Sequence, residues 1–170
     1  MINYTEKGIG LHEAIQAAGH WLAQHDGVWV SDNDVAVQAI IDGYTMAQTA
    51  DEIKARIDEY AASLRGKVTA TVAPAEMASW TIKRAEAEAY QANNAAATPF
   101  LSAESTARGV TVADLATRVL NNAAVLQSLE AQIAGNSGKH RDALTSIAAD
   151  STKTFADLLA YDWSTGWPMV

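Results

Sequence analysis

Val112, Val119, Leu126 and Ile133 stand seven residues apart, and Leu115, Asn122 and Leu129 repeat that interval three places later. Apolar side chains at this spacing form one narrow stripe on an α-helix, the pattern of a helix that lies along another helix. Thr111 and Asp114 are spaced as a capping box at its start. Asn122 is the polar member of the seam, where a buried amide weakens packing but penalises wrong registers. Gly135-Asn136-Ser137-Gly138 reads as a turn, and Leu144, Ile147, Ser151, Phe155 and Leu158 resume a helical stripe beyond it. Residues 111–160 are therefore expected to form an antiparallel helical hairpin with coiled-coil-like packing, each arm about 33 Å long.

The rest of the chain is helical by the same reasoning. Leu11, Ile15, Ala18 and Leu22 predict a helix over about 10–24, closed by Asp26-Gly27, with His12, Gln16 and His20 on its polar flank. Val28-Trp29-Val30 is a short β-prone run. Ser31 and Asp34 are spaced to start a helix that carries Val37, Ile40, Ile41 and Tyr44, with Gly43 as its left-handed end. Thr49-Ala50-Asp51-Glu52 predicts a capped helix through Ile53, Ile57, Tyr60 and Leu64, with a Glu52–Arg56 pair and a stop at Gly66. Lys67 to Val72 alternates as an edge strand or extended linker. Pro74 suits the first turn of a helix reaching about Asn94, and Pro99 to about Arg108 forms a shorter one before Gly109. The expected fold is mainly α: a helix–strand–helix head at 1–47, a helix and extended linker at 48–73, and a helical C-terminal domain at 74–170. With 35 alanines in 170 residues, the core of such a fold must be thin.

The chemistry-bearing residues are sparse. The absence of cysteine removes disulfides, thiolate metal sites and cysteine nucleophiles, and fits a reducing cytosol. On a continuous helix His12 and His20 are about 12 Å apart along the axis, too far to share an ion. Asp32-Asn33-Asp34 lacks the remaining ligands and the glycine of a calcium loop. Gly8-Ile9-Gly10 and Gly135–Gly138 lack the phosphate-binding pattern, and Ser137 has no nucleophile elbow, base or orienting acid. Glu86 and Glu88 point to different sides of a helix. No catalytic, metal or cofactor-binding residue is expected, and the protein is not expected to be an enzyme. A net charge of −8 disfavours phosphate backbones and anionic lipid, and Lys139-His140-Arg141 is a weak basic signal, so neither nucleic acid nor membrane is an expected partner. No apolar run reaches a membrane span, and the opening Met-Ile-Asn-Tyr-Thr-Glu lacks the pattern of a cleaved secretion signal.

Tyr161-Asp162-Trp163-Ser164-Thr165-Gly166-Trp167-Pro168 places three large rings within seven residues. They either fold back onto the helices or serve as an anchor for a partner, since such rings dominate interface hot spots. The candidate interaction residues are thus Val112, Leu115, Val119, Asn122, Leu126, Leu129 and Ile133 of the seam, with Tyr161, Trp163 and Trp167 of the tail.

The stretches 11–20, 27–32 and 37–44 resemble the opening of small proteins associated with bacteriophage tail fibres. Gly138-Lys139-His140-Arg141-Asp142-Ala143-Leu144 and the Tyr161–Pro168 ending resemble the C-terminal module of phage tail-fibre assembly and tail proteins. Together these segments make up 39 of the 170 residues. Where many relatives carry a glycine- and aromatic-rich β stretch after the segment matched by Trp80 to Arg84, this chain has Ala95 to Gly109. The resemblance implies a non-enzymatic phage protein that contacts fibre or baseplate protein, as an assembly chaperone in the host cytoplasm or as a part of the virion tail. A homo-oligomer, with a trimer favoured by tail symmetry, fits that role. The alternative is a phage-encoded acidic inhibitor of a host protein.

Overall fold

The computed structural model describes residues 1–169 and is mainly helical, with seven helices and one two-stranded sheet among those residues. It comprises two compact units, Met1–Ala61 with Gly135–Trp167, and Ala62–Ala134 with Pro168 and Met169.

In the first unit, helix α1 (Ile9–Ala17) buries Leu11 and Ile15. It ends well before residue 24, because Gly19 turns the chain at φ 82° and Leu22 joins a strand instead of extending the stripe. Strands β1 (Leu22–His25) and β2 (Val28–Ser31) pair antiparallel, Leu22 opposite Ser31 and His25 opposite Val28. Asp26 and Gly27 both adopt positive φ, 49° and 81°, as a two-residue hairpin turn requires. This Asp-Gly pair therefore joins two strands and closes no helix. Helix α2 (Asp34–Gly43) is capped by Asn33, whose Oδ1 accepts from Ala36 N at 3.2 Å, while the Ser31 hydroxyl donates to Asp34. Gly43 is its last residue and not left-handed; extended Tyr44 follows. Ile2, Leu11, Ile15, Val37, Ile41 and Tyr44 make the head core.

Helix α3 (Met46–Thr69) begins three residues before the expected cap, because Thr45 and Gln48 exchange the capping hydrogen bonds. Thr49 and Glu52 are thereby left for tertiary work. The buried Thr49 hydroxyl donates to Lys7 O at 2.7 Å, and Glu52 Oε2 accepts from Gly10 N at 2.7 Å, supplying an acceptor at the start of α1. Glu52 also forms the expected pair with Arg56. The helix runs on through Gly66 to Thr69, so neither the stop nor the extended segment from Lys67 to Val72 exists as expected. Nothing lies near a Cβ built at Gly66, and an exposed helical glycine costs only about 1 kcal/mol, too little to end a helix.

The largest correction concerns the hairpin. Helix α6 (Val112–Ala149) is one continuous element of 38 residues, so residues 111–160 contain no reversal at Gly135–Gly138. Neither glycine has positive φ, and the seven-residue ladder continues through them: Ile133 and His140 are buried and Ile147 is half-buried. The partner of α6 in this unit is α3. Ala50, Ile53 and Ile57 share a core with Leu144 and with Leu158 of helix α7 (Phe155–Leu159), and Arg141 pairs with Asp58. Helix α7 starts at a reciprocal capping box between Thr154 and Asp157.

In the second unit, helix α4 (Pro74–Ala92) carries its proline in the first turn, and helix α5 (Pro99–Arg108) closes on Gly109 at φ 66°, as the sequence leads one to expect. The Glu86 carboxylate accepts from Phe100 N and Leu101 N at 3.1 and 2.9 Å, which satisfies free donors at the start of α5. Ala87, Leu101, Leu115 and Ala116 form the buried core. Arg65 of α3 holds Glu130 of α6 through a two-pronged pair, so the long helices pack on each other in this unit as well.

Candidate interaction surfaces

Part of the heptad seam is consumed inside the chain. Leu115 is buried with Ala87 and Leu101, and half-buried Val112 and Val119 pack on the same cluster. Ile133 is buried, while Leu126 and Leu129 are half-buried. Asn122 lies on the exposed side, and Ala123 takes the half-buried place beside it. An amide left in water retains its hydration, whereas burial would require a partner at its own level. Asn122 is therefore no register pin within this chain.

The aromatic tail is folded back. Trp163 and Trp167 are half-buried against the core of Ile57 and Leu144, and each meets the Tyr60 ring edge-on, with centroids 5.9 and 5.3 Å away. The Trp167 indole N–H donates to Trp163 O at 2.8 Å, which holds the two rings in one turn. Tyr161 reaches His140, with its hydroxyl 2.8 Å from Nδ1.

His140 is the polar centre of this arrangement, only 2 % exposed. Its Nε2 lies 3.0 Å from Thr165 O. A carbonyl only accepts, so Nε2 carries hydrogen and donates to Thr165 O, while Nδ1 makes the hydrogen bond with the Tyr161 hydroxyl. The face of the imidazole stacks on Trp167 at 5.7 Å and 29°. Asn136, one turn earlier, donates from Nδ2 to Gly166 O at 2.6 Å. Burial raises the Tyr161 phenol above its ordinary value, with Asp162 adding to the effect. The Ser164 hydroxyl and N–H hold the Asp162 carboxyl below its ordinary range.

His140 and Asn136 are the residues that sequence reasoning missed, and a signal for both was present. His140 stands seven after Ile133 and Asn136 seven after Leu129, in the seam's own register.

A second aromatic group occupies the head. Tyr4 stacks on Trp29 at 4.0 Å, and its hydroxyl is 3.0 Å from both His12 Nε2 and Glu6 Oε2. Burial, then the Glu6 carboxylate, pushes the Tyr4 phenol up to about 12. His20 lies past the end of α1, where its Nδ1 meets Asp32 Oδ2 at 2.8 Å; His12 and His20 do not share a helix. That contact and Trp21 N lower the Asp32 carboxyl. The outward face of the hairpin leaves Trp21, Val28 and Val30 exposed. Among the described residues no group of three or more His, Asp or Glu is arranged to hold a metal, and no helix is long and apolar enough to cross a membrane.

No protein-family model, curated protein or solved structure matches the chain.

Proposed function

We propose that this protein is a non-enzymatic accessory of a bacteriophage tail fibre, binding fibre or baseplate protein as an assembly chaperone or as a fixed part of the virion. The observation that carries this reading is the meeting of the two C-terminal segments that resemble tail-fibre proteins. His140, from the Gly138–Leu144 stretch, holds Tyr161 and Thr165 of the Tyr161–Pro168 stretch. The resemblance therefore falls on residues that act together as one module and not on scattered helix-forming positions. The exposed Trp21, Val28 and Val30 add apolar surface of the kind used at protein interfaces. In this reading the chain acts in the host cytoplasm during assembly, or in the virion tail, and a trimer matches the symmetry of a fibre.

Co-expression with a phage tail-fibre protein is the test. Co-purification together with a higher yield of soluble fibre trimer is expected; no association and an unchanged yield would overturn the proposal. Mass spectrometry of purified particles then separates the two roles, since a chaperone leaves the particle and a structural part stays at fixed stoichiometry.

A further inference from the structure

Between the end of α4 and the first three turns of α6, within the second unit, lies a cavity of about 310 Å³. On α6, Ala113, Thr117 and Asn121 line it at four-residue spacing, a row about 12 Å long. Buried Ala116 and half-buried Leu120 stand beside that row, and Tyr90, Gln91 and Asn94 line the cavity from the α4 side. The short side chain of exposed Ala113 leaves room that a larger residue would fill.

The polar groups around this cavity are unspent. Elsewhere in the unit such side chains serve caps or pairs: Glu86 accepts from Phe100 N and Leu101 N, Asn93 from Ala95 N, Asp114 from the Thr111 hydroxyl, and Glu88 from Arg84. The Gln91, Asn94 and Asn121 carboxamides and the Tyr90 hydroxyl, in contrast, make no hydrogen bond to any described residue. The Thr117 hydroxyl donates to Ala113 O at 2.9 Å and keeps its oxygen as an acceptor. Among the described residues no Asp, Glu, Lys, Arg or His lines the cavity.

That combination selects a ligand by its chemistry. A carboxamide both donates and accepts, so three of them suit hydroxyl groups, which do the same. A charged ligand would give up hydration and meet no opposite charge. A flat heteroaromatic base needs cover on both faces, and Tyr90 is the one ring present, whereas a sugar needs a single apolar wall for its C–H face. Ala113 and Leu120 remain for a methyl group, which an acetamido substituent supplies together with an amide of its own. The volume lies near the lower end of small-molecule sites, about 300 to 1,000 Å³, and so suits one or two rings. We infer that this cavity is a binding site for an uncharged N-acetylated sugar, held by Gln91, Asn94 and Asn121 through its hydroxyls and by Ala113 and Leu120 at its methyl. Nothing in the site depends on the tail-fibre reading.

Titration of the full chain with N-acetylglucosamine, and separately with N-acetylgalactosamine, followed by nitrogen–proton NMR, tests this. With at least one of them the side-chain amide signals of Gln91, Asn94 and Asn121 and the backbone amides of residues 112–121 should shift saturably. One sugar per chain is expected, with a Kd on the order of 1 mM for a ligand of this size. The sugar without its acetamido group, glucose or galactose, should bind about fourfold more weakly for want of the methyl, and glucuronate should not bind. Two variants at exposed helical positions leave the core untouched: Ala113→Phe fills the cavity and Asn121→Ala removes one amide. The first should abolish the saturable shifts and the second should weaken binding about tenfold, both with melting temperatures close to that of the unmodified chain. No saturable shift with either acetylated sugar, equal or tighter binding of glucuronate or adenosine, or unchanged binding by Ala113→Phe would each overturn the site. Equal binding of the sugar without the acetamido group would overturn the place given to the methyl.

Discussion

Lys7 and His140, both buried in the first unit, are satisfied without any carboxylate. The Lys7 ammonium donates to Ile41 O and Tyr44 O at 2.6 and 2.8 Å and lies 4.6 Å from the centre of the Phe155 ring. His140 is held by a hydroxyl, a carbonyl and an indole face. In the second unit the corresponding role falls to charges: Lys83 Nζ lies 2.9 Å from Glu104 Oε2 without hydrogen-bond alignment, and Arg108 meets Glu104 Oε1 at 2.7 Å. The partners differ because the tasks differ. Lys7, in the chain before α1, serves carbonyls at the end of α2, and His140 serves a carbonyl of the tail after α7; such carbonyls lie outside regular pairing and need donors. Glu104 joins helices whose backbone groups are already paired, so only side chains remain to bind it. A helical core poor in bulky side chains can thus be closed by polar ties to irregular chain or by helix-to-helix ion pairs.

The contrast can be broken by removing bulk from each core in turn. Leu101→Ala deletes a fully buried side chain from the second unit and should cost about 2 to 5 kcal/mol in denaturant unfolding, with amides of residues 70–120 losing exchange protection first. Trp167→Ala should cost about 3 kcal/mol, nearer the low end for a ring that is only half-buried, and its loss of protection should be confined to the first unit. Loss of protection across both units in either variant would show that they do not unfold separately. Gly138→Ala should raise stability by about 0.5 to 1 kcal/mol, since the position is helical and an added Cβ meets nothing within 4 Å. A loss there would mean that the glycine is needed for another reason.

The smallest effects concern pH. Asp32, Glu130, Asp150, Asp157 and Asp162 are all held below their ordinary values by hydrogen bonds. Their contribution is complete above the unfolded values, about 4, and is lost as pH falls through the lower folded ones. All five are exposed, so a shallow decline in melting temperature below about pH 4 is expected. Tyr4 acts at the opposite end: its phenol is raised to about 12, so its contribution is complete below about pH 10 and lost as pH rises through 12. Replacing Tyr4 with Phe should flatten that alkaline limb in a melting series.

Local signals with a single physical meaning were legible in the sequence. Pro74 and Pro99 in first turns, Gly109 at a helix end and the helical period of the stretch from Val112 to Ile133 all read correctly, because each depends only on nearby backbone or on helix period. Signals with two meanings were not. Asp26-Gly27 suits a helix end or a hairpin turn, and only pairing of Leu22–His25 with Val28–Ser31 decides between them. Gly135 and Gly138 permit a turn without requiring one, and the buried neighbours Ile133 and His140 keep the helix intact. Thr49 and Glu52 have the spacing of a cap, but their oxygens serve Lys7 and Gly10, some forty residues earlier. The seat of the tail was invisible for the same reason: Tyr60, Asn136 and His140 mean something together only after folding.

The first unit is assembled from Met1–Ala61 and Gly135–Trp167, whereas most of the second is contiguous. On a ribosome Ile53 and Ile57 of α3 emerge well before the groups that complete their core, Leu144, Leu158 and the two indoles. That stretch of α3 must therefore wait, with its apolar face uncovered, until residues 144–167 have been made. Chains stalled before Leu144 should be markedly more prone to capture by chaperones than chains that have passed Trp167.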